Sequence, residues 1–188
     1  MLDRVAALAA ELEQPARICV DGRTASGKTT FADALAARLP WLRVTIDDFR
    51  RPPPPREYYP SSFDFERFRA HLVSLSRTST IVDGVFLHHP ELRGLWDLTV
   101  FLHVDTEVAT KRGIARDASW MANARERYAT RYVPGETRYL DEVDPESLAD
   151  VVVDTTDLNR PTLRVLRARA ATRQDGTSAA TSSISGGS

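Results

Sequence analysis

The residue types that bind phosphate occur together in one short stretch, which reads GRTASGKTT from residue 22 to residue 30. Its two glycines permit backbone angles and close approaches that a side chain would block. Lys28 is one of only two lysines in a chain that otherwise uses arginine. It places a compact positive charge beside Thr29, whose hydroxyl group is a suitable ligand for Mg²⁺. The stretch matches G-x-x-x-x-G-K-[ST] and therefore predicts a loop that wraps the phosphates of a nucleotide such as ATP.

The flanking sequence places this loop between a strand and a helix. A β-rich run at 17–21 precedes it, and a segment at 30–39 with apolar residues at helical spacing follows it. The free amides and the dipole of a helix N-terminus favour an anion, so the context strengthens the prediction of ATP binding. The predicted nucleotide-binding residues are Gly22, Thr24, Ala25, Ser26, Gly27, Lys28, Thr29 and Thr30.

Carboxylates follow two of the other apolar runs. Asp47 and Asp48 come directly after the run at 42–46, and Asp83 ends the next one. Ligands of an open parallel sheet lie at the carboxyl ends of its strands, where the phosphate loop also starts. We expect Asp47 to accept the proton of an attacking hydroxyl group, with Asp48 as the alternative. Thr29, Asp83 and Asp47 are the predicted Mg²⁺ ligands.

Arginines are concentrated in the later half of the chain. Arg112 and Arg116 are four residues apart in a segment, 106–132, whose pattern predicts one helix, so they share a helix face. Guanidinium groups stabilise the negative charge of a phosphoryl group in transfer, which predicts an arginine-rich lid over about 111–131. The predicted catalytic residues are therefore Lys28, Asp47, Arg112 and Arg116. The alternative interpretation of these arginines is a solvated basic helix face.

The order of the elements predicts the architecture. Five β-rich runs, at 17–21, 42–46, 80–84, 98–104 and 150–154, alternate with helical patterns. Such alternation is typical of a three-layer α/β fold, here a five-stranded parallel sheet with helices on both faces. We expect a single domain over 1–171 and a disordered polar tail over 172–188. The basic run at 160–173 is interpreted as a solvated helix.

The composition excludes several classes of protein. The net charge of −1 gives no general attraction to nucleic acid or to anionic membranes. The single cysteine, Cys19, cannot form an internal disulfide and is expected to be a small core residue. No apolar run approaches the 18 residues of a membrane span, and the first 15 residues lack the core of a signal peptide, so the cytoplasm is the expected compartment. Both a monomer and a homo-oligomer remain open.

These motifs follow one another in the order seen in uridine kinases, and the chain resembles that family over about residues 15–158. The resemblance is carried by the phosphate loop, Asp47-Asp48-Phe49, YPSSFD at 59–64, Asp83-Gly84, ELRGLWD at 91–97, Arg112-x-x-x-Arg116-Asp117 and ADVVVD at 149–154. It implies the P-loop NTPase fold and an ATP-dependent kinase of a nucleoside hydroxyl, such as that of uridine or cytidine. It also implies that Asp47 is the general base and that Arg112 and Arg116 belong to the lid. Asp83 stands where the family often has glutamate.

Two segments depart from the family in the region where the acceptor would bind. Tyr58-Tyr59 stands where the family commonly has an aspartate, and the segment at 85–90 lacks the usual tyrosine. Relatives with the same core phosphorylate pantothenate, nicotinamide riboside or ribulose phosphate, so these acceptors stay open, as does a nucleotide-dependent regulator without transferase activity. The predicted acceptor-binding residues are Tyr58, Phe86 and His88, which could stack on a ring, and Arg51 and Arg93, which could meet an anion. Ordinary loop and core packing is the alternative for the three ring-bearing residues.

Overall fold

The computed structural model describes residues 1–52 and 55–167. Within them a six-stranded sheet runs in the order β2-β3-β1-β4-β5-β6, and its first five strands are parallel. The strands are β1 (Arg17–Gly22), β2 (Leu42–Thr45), β3 (Thr80–Asp83), β4 (Leu98–His103), β5 (Val151–Asp154) and β6 (Thr162–Val165). The five predicted strands are therefore confirmed.

The sixth strand, β6, was not predicted, so the sheet has six strands and not the predicted five. It pairs antiparallel with β5 at the edge of the sheet. Its side chains alternate between exposed and half-buried, and the arginines around this short segment are equally typical of a solvated helix. The predicted helix over 160–173 is thus wrong at 162–165. The predicted polar tail over 172–188 lies outside the described residues.

Helices cover both faces of the sheet, as predicted. They are α1 (Leu2–Ala10), α2 (Lys28–Ala36), α3 (Phe65–Ser74), α4 (Thr106–Asp117), α5 (Ala124–Arg127), α6 (Val133–Val143) and α7 (Pro145–Leu148), with a π-helical turn at Tyr128–Tyr132 and 3₁₀ turns at Ile46–Phe49 and Pro90–Leu92. In the central strand β1, Ile18 and Val20 belong to the core that contains the buried residues of α1 and α2. Cys19 belongs to the opposite core, which contains those of α3 and α6, and it is fully buried as predicted.

The predicted single helix over 106–132 is wrong, because the chain breaks at 118–123 and folds back. Gly113 of α4 lies so close to Tyr128 that a β-carbon at position 113 would be 2.1 Å from the tyrosine hydroxyl oxygen. In one straight helix these two residues would be separated by about 22 Å along the axis. The arginine-rich segment is therefore a helical hairpin and not a rod.

Among the residues that the structure describes, we find no helix with both the length and the apolar character needed to cross a membrane.

Candidate active site

A cavity of about 540 Å³ opens at the carboxyl edge of the sheet. The phosphate loop follows β1 and lies between the ends of β3 and β4. Two other segments form the sides of the cavity, namely the 3₁₀ turn after β2 and the hairpin of α4 and α5. The predicted site residues that line this cavity are Thr24, Ala25, Lys28, Thr29, Asp47, Tyr58, Asp83 and Arg116. The strands thus bring the loop, both predicted carboxylates and one lid arginine to the same space.

The backbone of the phosphate loop depends on its two glycines. Gly27 has φ of 91°, a left-handed conformation that precedes the first turn of α2. A β-carbon on Gly22 would lie 2.6 Å from the carbonyl oxygen of Leu102 on the neighbouring strand. Neither position accepts a side chain without a shift of the backbone. Gly22, Ser26, Gly27 and Thr30 shape the loop or continue into the helix and are not part of the cavity lining.

Lys28 is buried at the start of α2, and its Nζ donates a hydrogen bond of 2.6 Å to the carbonyl oxygen of Arg23. Burial lowers the pKa of Lys28, while surrounding carboxylates, Glu136 foremost, act in the opposite direction. An anion beside this ammonium group would stabilise its charged form. The loop therefore holds a desolvated positive charge in position to meet a phosphate group.

Thr29 and Asp83 form the group best suited to Mg²⁺. The Thr29 hydroxyl donates 2.9 Å to Oδ2 of Asp83, and Asp47 lines the same cavity. Carboxylate and hydroxyl oxygens are the ligands that Mg²⁺ prefers, and the ion usually takes one or two carboxylates together with phosphate oxygens and water. In the described part of the chain, His, Cys, Asp and Glu form no group of three that could hold a metal by themselves. The site therefore fits an ion that arrives with a nucleotide.

The structure separates the two candidate bases. Asp47 lines the cavity, and its Oδ1 accepts a hydrogen bond of 2.8 Å from Arg50. Asp48 is exposed and does not line the cavity, and its carbonyl oxygen faces Arg67 at 3.4 Å. Of the two aspartates, only Asp47 can therefore contact a molecule in this cavity.

Arg116 enters the cavity and is oriented by its neighbour Asp117. Its Nε and Nη2 donate to the two oxygens of Asp117 at 2.7 and 3.1 Å, and Tyr128 donates to Oδ2 of the same carboxylate at 2.9 Å. Burial raises the pKa of Asp117, but the hydrogen bonds from Arg116 and Tyr128 outweigh it and hold the pKa below its ordinary value. The carboxylate therefore stays ionised and fixes the guanidinium group at the wall of the cavity.

Arg112 does not enter the cavity, although it was predicted to act beside Arg116. Its Nη1 and Nη2 donate 2.8 Å hydrogen bonds to the carbonyl oxygens of Thr155 and Thr156. Both nitrogens are thus used to attach α4 to the loop after β5. The prediction from helix spacing correctly placed the two arginines on one helix but could not include this competing pair of carbonyl groups.

Of the five predicted acceptor-binding residues, the structure brings only Tyr58 to the cavity. Phe86 is buried against Tyr58, with ring centroids 5.1 Å apart. Arg51 donates 3.0 Å to the carbonyl oxygen of Phe63, and Arg93 is exposed on the surface. Neither arginine forms part of the cavity lining.

His88 is the clearest correction, because it lies inside the protein with only 5% of its surface exposed. Its Nδ1 lies 2.8 Å from Oδ2 of Asp21, which also accepts a 2.5 Å hydrogen bond from the hydroxyl group of Tyr139. Asp21 is fully buried directly before the phosphate loop and therefore needs these donors. His88 consequently stabilises the base of the loop and does not stack on an acceptor.

Sequence reasoning missed several residues of the cavity wall, namely Arg50, Val85, Trp120, Met121, Arg127 and Tyr132. Trp120 is notable because 68% of its surface is exposed although it is a large aromatic residue. Arg50 follows Asp47 by three residues, a spacing that could have identified the ion pair in a helical turn. Val85 lies just after β3, whereas Trp120, Met121, Arg127 and Tyr132 come from the fold-back of the lid, which no local sequence pattern indicated.

Another missed residue, Glu136 of α6, is buried against the phosphate loop. Its Oε1 accepts a 2.8 Å hydrogen bond from the backbone amide of Thr24, and its Oε2 lies 3.4 Å from Nε of Arg23. Burial raises the pKa of Glu136 above its ordinary value, while hydrogen bonds from Thr24 and the charges of Lys28 and Arg23 oppose that rise. The loop is thereby connected to the helix that follows the lid.

Comparison with known structures supports the fold. The chain is similar to the structure of a possible uridine kinase from Bacillus stearothermophilus, with 22% identity, a TM-score of 0.58, and coverage of 80% of this chain and 96% of that one. It is also similar to a protein assigned as a fructose transport system kinase from Silicibacter sp. TM1040, with 21% identity, a TM-score of 0.64, and coverage of 75% and 94%. No protein-family model matches the chain.

The sheet order, the phosphate loop and these likenesses together define the fold: the chain has the three-layer α/β fold of P-loop NTPases. The uridine kinase-like fold predicted from the sequence is confirmed, with one additional antiparallel strand.

Proposed function

We propose that the protein is an ATP-dependent kinase that moves the γ-phosphate to a hydroxyl group of a small molecule, and that the acceptor is a nucleoside such as uridine or cytidine. The observation that carries the proposal is the convergence of Lys28, Asp47, Asp83 and Arg116 on one cavity. These residues supply a phosphate-binding cation, a candidate base, a metal-binding carboxylate and a lid arginine. Phosphoryl transfer depends on that combination of positioning and charge.

Each residue has a distinct task in this proposal. Asp47 accepts the proton of the attacking hydroxyl group; its Oδ1 is held by Arg50, while Oδ2 accepts no hydrogen bond from the described residues. Lys28 and the loop amides hold the phosphates of ATP. Arg116, fixed by Asp117, stabilises the charge on the transferred group. Bound at Thr29 and Asp83, Mg²⁺ would supply a neutralising charge to the phosphate oxygens.

The wall of the cavity beyond Asp47 supports an acceptor with a flat ring. Tyr58 and Tyr132 pack edge to face there, with ring centroids 4.9 Å apart, and the exposed indole of Trp120 lies on the lid side. Aromatic rings of this kind stack on planar ligands. The similarity to a possible uridine kinase agrees with a nucleoside.

A second candidate acceptor is a sugar phosphate or a carboxylate such as pantothenate. Arg127 lines the cavity and its guanidinium group donates no hydrogen bond to the described residues, so it is available to an anion. The similarity to a fructose transport system kinase agrees with a sugar-like acceptor. Nicotinamide riboside combines a ring with a positive charge, which Arg50 and Arg127 would disfavour.

The test is a coupled assay of ADP release with ATP and Mg²⁺ over nucleosides, sugars, sugar phosphates, pantothenate and nicotinamide riboside. A kinase releases ADP only when its acceptor is present, and the phosphorylated product is identified by mass spectrometry. Slow ATP hydrolysis that no acceptor accelerates would reject the kinase and favour a nucleotide-dependent regulator. The variant Lys28→Ala is the control, since it should remove both activities.

A further inference from the structure

Arg43, on strand β2, connects three groups around the proposed metal site. Its Nη2 donates 2.7 Å to Oδ1 of Asp83, and its Nη1 donates 2.5 Å to Oδ1 of Asp33 and 3.4 Å to the carbonyl oxygen of Thr29. The Asp83 side chain is 3% exposed and that of Arg43 is 23% exposed, so solvent screens this ion pair only weakly. Arg43 is therefore part of the environment of the carboxylate that would meet a metal.

The hydrogen bonds of Asp83 assign different roles to its two oxygens. Oδ1 is held by the guanidinium group of Arg43, whereas Oδ2 accepts the hydrogen bond from the Thr29 hydroxyl group. A carboxylate with one oxygen held by a guanidinium group has only the other oxygen to offer to a cation. Its negative charge is also partly neutralised before any cation arrives.

Ca²⁺ and Mg²⁺ differ in how much their binding suffers when a carboxylate offers only one oxygen. Ca²⁺ takes six to eight oxygen ligands and often uses both oxygens of a carboxylate, whereas Mg²⁺ keeps several waters and needs only one or two carboxylates together with phosphate oxygens. Because only Oδ2 of Asp83 lies outside the ion pair with Arg43, the site suits Mg²⁺ and penalises Ca²⁺. The positive charge of Arg43 weakens the binding of any divalent ion that arrives without phosphate.

We propose that Arg43 is a positioning residue that sets the metal selectivity of the site: it limits Asp83 to one oxygen, disfavours Ca²⁺, and makes divalent-ion binding depend on the nucleotide. The proposal rests on the kinase function proposed above, because that function makes Asp83 a metal ligand. Arg43 touches neither acceptor nor nucleotide in this scheme and acts only through Asp83 and Thr29.

The test compares the wild-type protein with Arg43→Gln and with the matched control Asp33→Asn. The control removes the other carboxylate partner of Arg43 and leaves its hydrogen bond to Asp83 in place. Ca²⁺ binding is measured by calorimetry and Mn²⁺ binding by electron paramagnetic resonance, each with and without a non-hydrolysable ATP analogue. Circular dichroism and the melting temperature establish that each variant is folded.

We expect Arg43→Gln to bind Ca²⁺ and Mn²⁺ without nucleotide about tenfold more tightly than the wild type, since one positive charge near the site is removed. Asp33→Asn should stay within about twofold of the wild type, because the Asp33 side chain is 66% exposed and solvent screens its charge. In the double variant Arg43→Gln with Asp83→Asn the gain should disappear. Ca²⁺ and Mn²⁺ affinities of Arg43→Gln equal to or weaker than those of the wild type would overturn the proposal.

Two further outcomes distinguish failure of the Arg43 proposal from misfolding of the variant and from failure of the proposed kinase function. If Arg43→Gln does not fold, Arg43→Lys takes its place: one ammonium group cannot bridge Asp83, Asp33 and the Thr29 carbonyl at once, so an intermediate gain in Ca²⁺ affinity is expected and wild-type affinity would overturn the proposal. If the wild type fails to bind the ATP analogue with Mn²⁺, the proposed function fails. In that case the role of Arg43 is rejected as well only if the wild type and Arg43→Gln bind Ca²⁺ and Mn²⁺ equally tightly without nucleotide.

Discussion

The carboxylate of Glu136 accepts a 2.8 Å hydrogen bond from the backbone amide of Thr24, a residue 112 positions earlier in the chain. Only 4% of Glu136 is exposed, and its second oxygen faces Arg23, whose Nη1 in turn donates 2.6 Å to the hydroxyl group of Thr106. The phosphate loop is thus attached both to the helix after the lid and to the first turn of the lid helix. The conformation of the phosphate loop is therefore set by tertiary contacts as well as by its glycines.

Replacement of Glu136 by alanine is expected to destabilise the protein by about 3–5 kcal/mol, because Arg23 would keep a buried charge without its partner and the Thr24 amide would lose its acceptor. Glu136→Gln should cost less, since the amide oxygen can still accept from Thr24. Urea unfolding followed by circular dichroism measures both free energies. Glu142→Ala on the exposed side of the same helix is the control and should cost less than about 1 kcal/mol. Equal stability of Glu136→Ala and the wild type would contradict the structural role.

The pH dependence of stability provides a separate prediction for Glu136. Its folded-state pKa is raised by burial from the ordinary value of 4.5, so its contribution to stability is fully present below that value and is lost as the pH rises through the folded-state pKa. Glutamine does not titrate. The difference in unfolding free energy between wild type and Glu136→Gln should therefore shift in favour of the glutamine variant from about pH 4.5 upward. Urea titrations at several pH values measure this trend; a constant difference would rule out the raised pKa.

Local sequence signals were sufficient where one segment forms its own structure. The phosphate loop is a strand, a glycine-containing turn and a helix N-terminus in direct succession, so its residues and conformation could be predicted together. Four of the five parallel strands, all except the edge strand β2, are buried almost throughout, and strands buried on both faces are recognisable as short apolar runs. The edge strand β6 is only half-buried, and for that reason its pattern carried no comparable signal.

The remaining errors concern side chains whose partners lie far away in the sequence. His88 was predicted to face an acceptor, but it is paired with Asp21, 67 residues earlier. Arg112 was predicted to face phosphate, but carbonyl oxygens 43 and 44 residues later hold it. Residue type defines which hydrogen bonds are available, and only the tertiary fold decides which partner is near. Asp47 and Asp83 were placed correctly because adjacent parallel strands bring their ends to the same edge.

The two lid arginines should differ in their effect on catalysis. Arg116→Ala removes a guanidinium group at the cavity and is expected to lower kcat by about 100- to 1000-fold, as is typical when a donor to the transition-state charge is lost. Arg112→Ala should lower kcat less than about tenfold and instead reduce stability, since it leaves the carbonyl groups of Thr155 and Thr156 without their donor. Steady-state kinetics at saturating ATP and thermal unfolding separate the two effects. The reverse order of kcat losses would show that Arg112 and not Arg116 acts at the phosphates.

Asp117→Asn tests whether the orientation of Arg116 matters as well as its presence. Asparagine keeps the shape of the side chain but loses the charge that attracts Arg116, and one of its two oxygens becomes an amide donor. We expect kcat to fall by about 10- to 100-fold while the KM for ATP changes little, because the affected interaction forms in the transition state. An increase in the KM for ATP with unchanged kcat would mean that Arg116 serves ground-state nucleotide binding. Glu126→Gln on the exposed face of α5 is the matched control, and it should leave both constants unchanged.

The assignment of the base is tested by exchanging each of two adjacent aspartates for asparagine. Asp47 lines the cavity and Asp48 does not, although the sequence makes them equal candidates. Asp47→Asn should lower kcat by about 100- to 10,000-fold, the range for loss of a general base, while ATP analogue binding stays within about twofold of the wild type. Asp48→Asn should retain kcat. Because both variants remove one negative charge from the same 3₁₀ turn, a general electrostatic effect would reduce both rates equally, whereas proton transfer through position 47 affects one alone. Full turnover by Asp47→Asn would therefore remove this residue from the reaction, even if ATP binding and the rest of the cavity were intact.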